Sequence, residues 1–182
     1  MSRVLVPLAQ GCEELEAITI TDLLTRAGME VITAGLDNTP VKASRGITLI
    51  PDTTIDKIVN DTFELVVLPG GLPGANHLRD NAYVQSILQK QATANRPVAA
   101  ICAAPKALAG AGLLDGKTVT CYPGSLNDSG LSNTDIKSSA IEIDGNVITS
   151  RGPGTAMDFA LTLIELLKGK QKRDEVEQQL VR

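Results

Sequence analysis

The chain of 182 residues has no tryptophan, and its aromatic residues are only Phe63, Tyr83, Tyr122 and Phe159. Its core must therefore be aliphatic, and few rings are left to stack on an isoalloxazine, which argues against a flavin carrier. The single histidine, His77, precedes Cys102 and reads as a helix-start residue rather than a base. Cysteines number three (Cys12, Cys102, Cys121), an odd and widely spaced set. That excludes a disulfide framework and points to reduced thiols in a cytoplasmic setting. Positive charge is also scarce, with 17 Lys and Arg against 21 Asp and Glu, a net charge of −4 and a pI near 5.0. A nucleic-acid partner needs a basic stripe. The nearest approach, Lys168, Lys170, Lys172 and Arg173, is followed at once by Asp174, Glu175 and Glu177 and reads as a solvated helix junction. No apolar run reaches the ~20 residues of a membrane helix, and the stretch Met1–Gly11 lacks the form of a signal peptide. No His, Cys and carboxylate cluster has metal-ligand spacing, so neither a metal nor a cofactor is expected.

What is present is 43% hydrophobic residues with 16 glycines and 9 prolines, enough for one domain over residues 1–182. Folding at this length should bury about 70% of the extended chain's surface. Arg3–Ala9, Leu65–Leu68 and Val98–Ile101 are unbroken apolar runs of strand length, the mark of parallel strands covered on both faces. Helical spacing fills Glu13–Ala27, a stretch around Val84, Ile87, Leu88 and Ala92, and Ala156–Leu167. The last of these is expected to open on a Thr155/Asp158 capping box. Val41–Ile50 reads as a hairpin around Arg45-Gly46, and Ile141–Ile143 with Val147–Ser150 as a second hairpin. A further short helix is expected over Asp174–Val181. Alternating strands and helices predict an α/β sandwich with a mostly parallel sheet, whose ligands bind beyond the carboxyl ends of the strands.

Three strand ends offer chemistry. Leu68-Pro69-Gly70-Gly71 follows a buried strand, and paired glycines either cradle an oxyanion with their N–H groups or merely make a tight turn. Val98–Ile101 leads into Cys102-Ala103-Ala104-Pro105, the strand–nucleophile–helix order of a nucleophile elbow. A thiol facing a helix N-terminus is expected to have a lowered pKa; the plainer reading is a buried structural cysteine. Glu16 shares a helical stripe with Ile20, Leu23 and Ala27. It is either buried, and then protonated or paired, or frayed into solvent beside Glu13 and Glu14. Leu15 and Ile18 make a second apolar side on the same helix, which hints at burial against a partner subunit.

Together, Gly11-x-Glu13-Glu14-x-Glu16, Arg26-Ala27-Gly28, Ser44-Arg45-Gly46, Leu68-Pro69-Gly70-Gly71, the cysteine elbow and Ser150-Arg151-Gly152-Pro153-Gly154-Thr155 resemble the ThiJ/PfpI superfamily. The likeness runs nearly end to end and is strongest to the branch of the Parkinson-disease-associated protein and its bacterial relatives. The resemblance implies a flavodoxin-like three-layer sandwich and a homodimer. It makes Cys102 the nucleophile and Glu16 its protonated partner, with the amides of Gly71 and Ala103 around the sulfur or a substrate oxyanion. Gly70, Arg45, Tyr122 and Pro153 are the expected pocket. The implied activity is cofactor-free and acts on reactive dicarbonyls or glycated groups, as glyoxalase or deglycase. The alternative is an oxidative-stress sensor or chaperone whose cysteine becomes a sulfinate. Where protease-like members carry a histidine after the nucleophile, this chain has Ala103; Tyr122 stands where a nearby histidine is often found. Peptide hydrolysis, which needs a general acid for the amine, is therefore not expected. Cys12 and Cys121 are read as bystander thiols, with a resolving role as the other possibility.

Overall fold

A computed structural model describes residues 2–182. The first half of the chain comprises β1 (Arg3–Leu8), α1 (Glu14–Arg26), β2 (Glu30–Gly35), β3 (Val41–Lys42), β4 (Thr48–Leu49), β5 (Thr53–Thr54), α2 (Ile55–Ile58), β6 (Leu65–Leu68), α3 (Gly74–Asp80) and α4 (Ala82–Thr93). The second half adds β7 (Val98–Ile101), α5 (Pro105–Gly110), β8 (Thr118–Thr120), β9 (Asp135–Lys137), β10 (Ile141–Asp144), β11 (Val147–Ser150), α6 (Ala156–Lys168) and α7 (Lys170–Gln179). Seven strands form one sheet in the order β10-β11-β7-β6-β1-β2-β5. Every neighbouring pair is parallel except the β10–β11 hairpin. The expected hairpin over Val41–Ile50 is the small antiparallel β3–β4 pair.

The apolar runs form strands because both of their faces are covered. Successive side chains point to opposite faces of a strand, so each run feeds two cores. On one side Val4, Val6, Leu65, Val67 and Ile101 meet Ile20 and Leu24 of α1 and Phe159 and Leu163 of α6. On the other, Leu5, Val66, Leu68 and Ala100 meet Leu78 of α3, Ile87 and Leu88 of α4 and Leu108 of α5. Each fully buried Leu, Ile or Phe stabilises the fold by about 1.5–3 kcal/mol in transfer terms. The result is the expected flavodoxin-like α/β arrangement.

Two local expectations are corrected. The Thr155 hydroxyl does not cap α6; it turns back to donate to the Gly152 carbonyl (2.8 Å) and meets Ser150 Oγ (2.7 Å). A single 3-10 turn over Pro153–Thr155 claims the hydroxyl that the capping box needed. The final helix also starts earlier than expected, at Lys170, directly after Gly169 at φ +83°. The basic run thus spans the junction between two helices, and its later members pair within α7, as Arg173 does with Glu177 at 2.8 Å.

The strand order reverses at β1, whose sequence neighbour β2 lies on one side and β6 on the other. In open parallel sheets the crevice beyond the carboxyl ends of the strands at such a point is the usual ligand site. Here β1 runs toward Glu16, β6 ends at Gly70-Gly71 and β7 ends at Cys102. No described helix is long and apolar enough to cross a membrane.

Candidate active site

Cys102 follows the last residue of β7 and has φ +63°. A non-glycine residue in this region carries a strain of about 1–3 kcal/mol and persists only where its surroundings fix it. Three contacts do so: the Cys102 N–H donates to the Ser150 carbonyl (2.9 Å), and its carbonyl accepts from Tyr122 N (2.8 Å) and Ser125 Oγ (3.4 Å). The side chain is 8% exposed and opens into a cavity of about 730 Å³.

Behind the sulfur lies Gly70. A Cβ there would come within 2.7 Å of Cys102 Cβ and 2.9 Å of Glu16 Oε2, so only glycine lets β6, β7 and α1 close on one point. Gly71 is at φ +87°, and a Cβ on it would stand 2.4 Å from the Glu13 amide nitrogen. The backbone N–H groups of Gly71 and Ala103 both reach the Cys102 sulfur.

Glu16 is fully buried. Its Oε2 accepts from the Gly70 N–H at 2.8 Å, whereas Oε1 is buried without a partner, and the Cys102 thiol lies against the same carboxyl. Burial raises the Glu16 carboxyl to about 7, partly offset by the Gly70 N–H and the thiol. Burial first, and then the negative charge of Glu16, push the Cys102 thiol up to about 12, against the pull of the Gly71 and Ala103 amides. The lowered thiol pKa expected from the helix N-terminus is therefore corrected: α5 is only six residues long, and desolvation outweighs it. The proton released near 7 belongs to the Glu16–Cys102 pair rather than to one atom. An ionised Glu16 would leave its partnerless oxygen charged and buried, while a thiolate would gain two amide donors. These contacts favour placing the remaining proton on Glu16.

The other expected pocket residues divide. Arg45, Gly71, Tyr122, Ala103 and Pro153 line the cavity with Cys102; Gly70 does not, because it forms the wall behind the sulfur. His77 is the fourth residue of α3 and faces a different cavity, lined by Leu8, Gln10 and Asp37. Cys121 packs on the opposite side of the sheet from Cys102. Cys12 is fully buried, and its thiol is pushed up to about 11, chiefly by burial and then by Glu14.

Several contacts that build the site are not written in the sequence motifs. Glu13 accepts from Ser44 Oγ at 2.8 Å, and its Oε2 is 3.9 Å from the Arg45 guanidinium. Glu14 accepts from the N–H groups of Arg45 (2.9 Å) and Ile47 (3.3 Å) and from Ser44 Oγ (3.2 Å). Burial pushes the Glu14 carboxyl up, but backbone N–H groups and the Ser44 hydroxyl outweigh it and hold it below its usual range. These two acids clamp the β3–β4 turn and so bring Arg45 to the cavity. Asn76 and Arg79 of α3 and Lys106 of α5 complete a wall that no motif marks.

Fold and site together define a flavodoxin-like protein with a strained cysteine at the switch crevice of a parallel sheet. The chain matches the DJ-1/PfpI family over residues 2–166, and it belongs to that family. It is similar to protein dj-1beta of Drosophila melanogaster, 45% identical over 174 residues that cover 94% of this chain and 92% of that one. The crystal structure of Drosophila melanogaster DJ-1beta superposes with a TM-score of 0.94, covering 100% of this chain and 98% of the other at 44% identity. Oxidized Toxoplasma gondii DJ-1 gives a TM-score of 0.93 at 36% identity, over 100% and 98% of the two chains. The glutathione-independent glyoxalase DJR-1.2 of Caenorhabditis elegans is 34% identical over 95% of this chain and 91% of its own length. The chain spans under half of another relative, DJ-1 homolog B of Arabidopsis thaliana, which is 43% identical over 98% of this chain and 41% of its own.

Proposed function

We propose that this protein is a cofactor-free enzyme that converts reactive α-oxoaldehydes to hydroxy acids, with Cys102 as nucleophile and Glu16 as proton carrier. The observation that carries the reading is the positive-φ cysteine, which meets a fully buried, neutral-leaning carboxyl on one side and an open cavity on the other. The name of the nematode relative supports the reaction class. A Cys102 thiolate adds to the aldehyde carbon of methylglyoxal, forming a C–S bond and an oxyanion that takes hydrogen bonds from the Gly71 and Ala103 amides. Protonation gives a hemithioacetal. Glu16, ionised at that stage, removes the proton from the former aldehyde carbon, and a proton returned to the neighbouring carbon yields a lactyl thioester. Water cleaves the C–S bond, releasing lactate and regenerating the thiol. The net reaction adds one water to one dicarbonyl, with no outside oxidant.

Lactate formed from methylglyoxal, without added thiol or amine buffer, tests the proposal. Wild type should produce lactate and Cys102→Ser should not. Equal rates in the two proteins would end the nucleophile assignment.

A second reading, a peroxide sensor, is favoured by one specific comparison, the Toxoplasma gondii DJ-1 solved oxidized. In it, two peroxide molecules each give one oxygen to the Cys102 sulfur and leave as water, making a sulfinate. Mass analysis after mild peroxide should then show about 32 Da added on Cys102, with Cys12 and Cys121 spared. Equal oxidation of the three thiols would remove this reading.

A homodimer through α1 is part of the same proposal. Leu15 and Ile18 leave 49% and 45% of their surface exposed on a helix whose other face is buried.

A further inference from the structure

The cavity is far larger than methylglyoxal requires. At about 730 Å³ it falls within the ~300–1,000 Å³ range that encloses drug-sized ligands. Its wall beyond Cys102 is formed by Lys106, Asn76 and Arg79. Lys106 lies four residues after the nucleophile in the first turn of α5, and its backbone N–H donates to the Ala103 carbonyl at 3.3 Å. Its ammonium is half-buried and donates to Asn76 Oδ1 at 3.0 Å. It has no carboxylate within ion-pair distance among the described residues, unlike Lys117, Lys137, Lys170 and Lys172. An ammonium has three donors, so the Asn76 bond steadies the side chain and leaves two for a ligand. Arg79, three residues after Asn76 on α3, uses Nε and Nη2 on Asp80 at 2.7 and 2.9 Å. Nη1 has no partner among the described residues and is free to donate.

The acids near this wall, Glu13, Asp80 and Asp128, form no ion pair with Lys106 among the described residues. Glu13 is held by Ser44 and Arg45. Asp80 is held below its usual range first by Arg79, and Lys106 only adds a weaker, more distant attraction. Asp128, in the loop after Ser125, lines the same cavity but is exposed to solvent and makes no ion pair with Lys106 or Arg79 among the described residues. A half-buried cation without a counter-charge, aimed into a cavity that begins at a reactive thiol, is an incomplete ion pair.

We propose that Lys106, with Asn76 and Arg79, forms a subsite for a terminal anion, and that the preferred substrates are α-oxoaldehydes carrying a carboxylate or phosphate. This rests on the function proposed above. The aldehyde carbon sits at Cys102 while the anion pairs with the ammonium. For 4,5-dioxopentanoate the balanced outcome is addition of one water to give 2-hydroxyglutarate, by the same thioester route. Charge-assisted hydrogen bonds contribute about 1.5–3 kcal/mol, or roughly 10- to 150-fold in kcat/KM.

The test compares kcat/KM for 4,5-dioxopentanoate and methylglyoxal in wild type, Lys106→Met and Lys106→Arg. Wild type should favour the anionic substrate at least tenfold, Lys106→Met should erase most of that ratio, and Lys106→Arg should retain it. Added salt should lower the ratio in wild type but not in Lys106→Met. A wild-type ratio near one, or a ratio unmoved by Lys106→Met, overturns the subsite while leaving the enzyme reading intact. If neither substrate turns over, the enzyme reading fails, and the subsite is judged by calorimetry. Glutarate and inorganic phosphate are then titrated into wild type and Lys106→Met. Binding of either anion that depends on Lys106 upholds the subsite and identifies its anion; binding of neither overturns it.

Discussion

Stability should fall as pH rises from 5 to 8, and Glu16→Gln should remove the fall. The Glu16 carboxyl titrates at 4.5 when free and at about 7 in the fold. Between those values the folded chain keeps a proton that the unfolded chain has released. A raised carboxyl of this kind contributes its full stability below 4.5 and loses it as pH climbs through 7. At about 1.4 kcal/mol per unit the loss comes to about 3 kcal/mol, a large part of the 5–15 kcal/mol that holds a typical domain together. The argument survives the coupling to Cys102, because it needs only the pair's first proton. The pair's second proton leaves only in the alkaline range, as does that of Cys12, raised to about 11. Glu14 works in the opposite sense, since its lowered carboxyl loses stability only as pH falls through the acid range. Glutamine keeps the oxygen that accepts from the Gly70 N–H and cannot ionise. Urea unfolding at pH 5, 6, 7 and 8, at one protein concentration, measures the difference directly. Wild type should lose about 3 kcal/mol relative to the variant across this range. Parallel curves would mean that the carboxylate is ionised and well paired, which would refute the neutral-acid argument.

Other outcomes follow from the same geometry. The kcat/KM for methylglyoxal should rise as the Glu16–Cys102 pair loses its proton near pH 7; a pH-independent rate would detach the pair from thiolate formation. Gly70→Ala forces a Cβ to 2.7 Å from Cys102 Cβ and 2.8 Å from the Ile101 carbonyl. It should cost about 1–3 kcal/mol in urea unfolding, and an unchanged midpoint would show slack behind the sulfur. Glu14→Ala leaves the Arg45 and Ile47 N–H groups without their acceptor. It should cost about 1.5–3 kcal/mol and speed amide exchange at residues 44–47; unchanged exchange there would discount the clamp. Ile18→Glu should halve the mass seen by light scattering from twice 19.1 kDa to one chain, and a mass unaffected by the change would move the interface off α1.

Features legible in the sequence are those written in local spacing. The unbroken runs Leu65–Leu68 and Val98–Ile101 are buried throughout, because a strand covered on both faces has no polar position to spare. The Glu16 stripe and the cysteine elbow could likewise be located from spacing, although their state could not. Contacts between distant segments were not legible. Lys106 meets Asn76 across thirty residues, and Glu14 meets Arg45 across thirty-one; no periodicity records such pairs. The capping box failed for a related reason: the local pattern was present, but Ser150 and Gly152 took the hydroxyl first.

Glu13, Glu14 and Glu16 show where the limit lies. All three are buried, at 8%, 4% and 0% exposure, and all three stand in or just before the first turn of α1. Burial alone would raise the carboxyls of Glu14 and Glu16. Glu14 meets the Arg45 and Ile47 N–H groups and the Ser44 hydroxyl and is held low; Glu16 meets the single N–H of Gly70 and a thiol and is held high. Two residues of separation thus divide a carboxyl held low from one held high, and the divider is the number of donors each carboxyl faces. Donors from the β3–β4 turn reach only the first. A substitution that gave Glu16 a second strong donor would lower its pKa and bring an ionised carboxylate against the sulfur. The Cys102 thiol would then be pushed further from its thiolate, so the poverty of donors around Glu16 is itself a condition for the nucleophile proposed at Cys102.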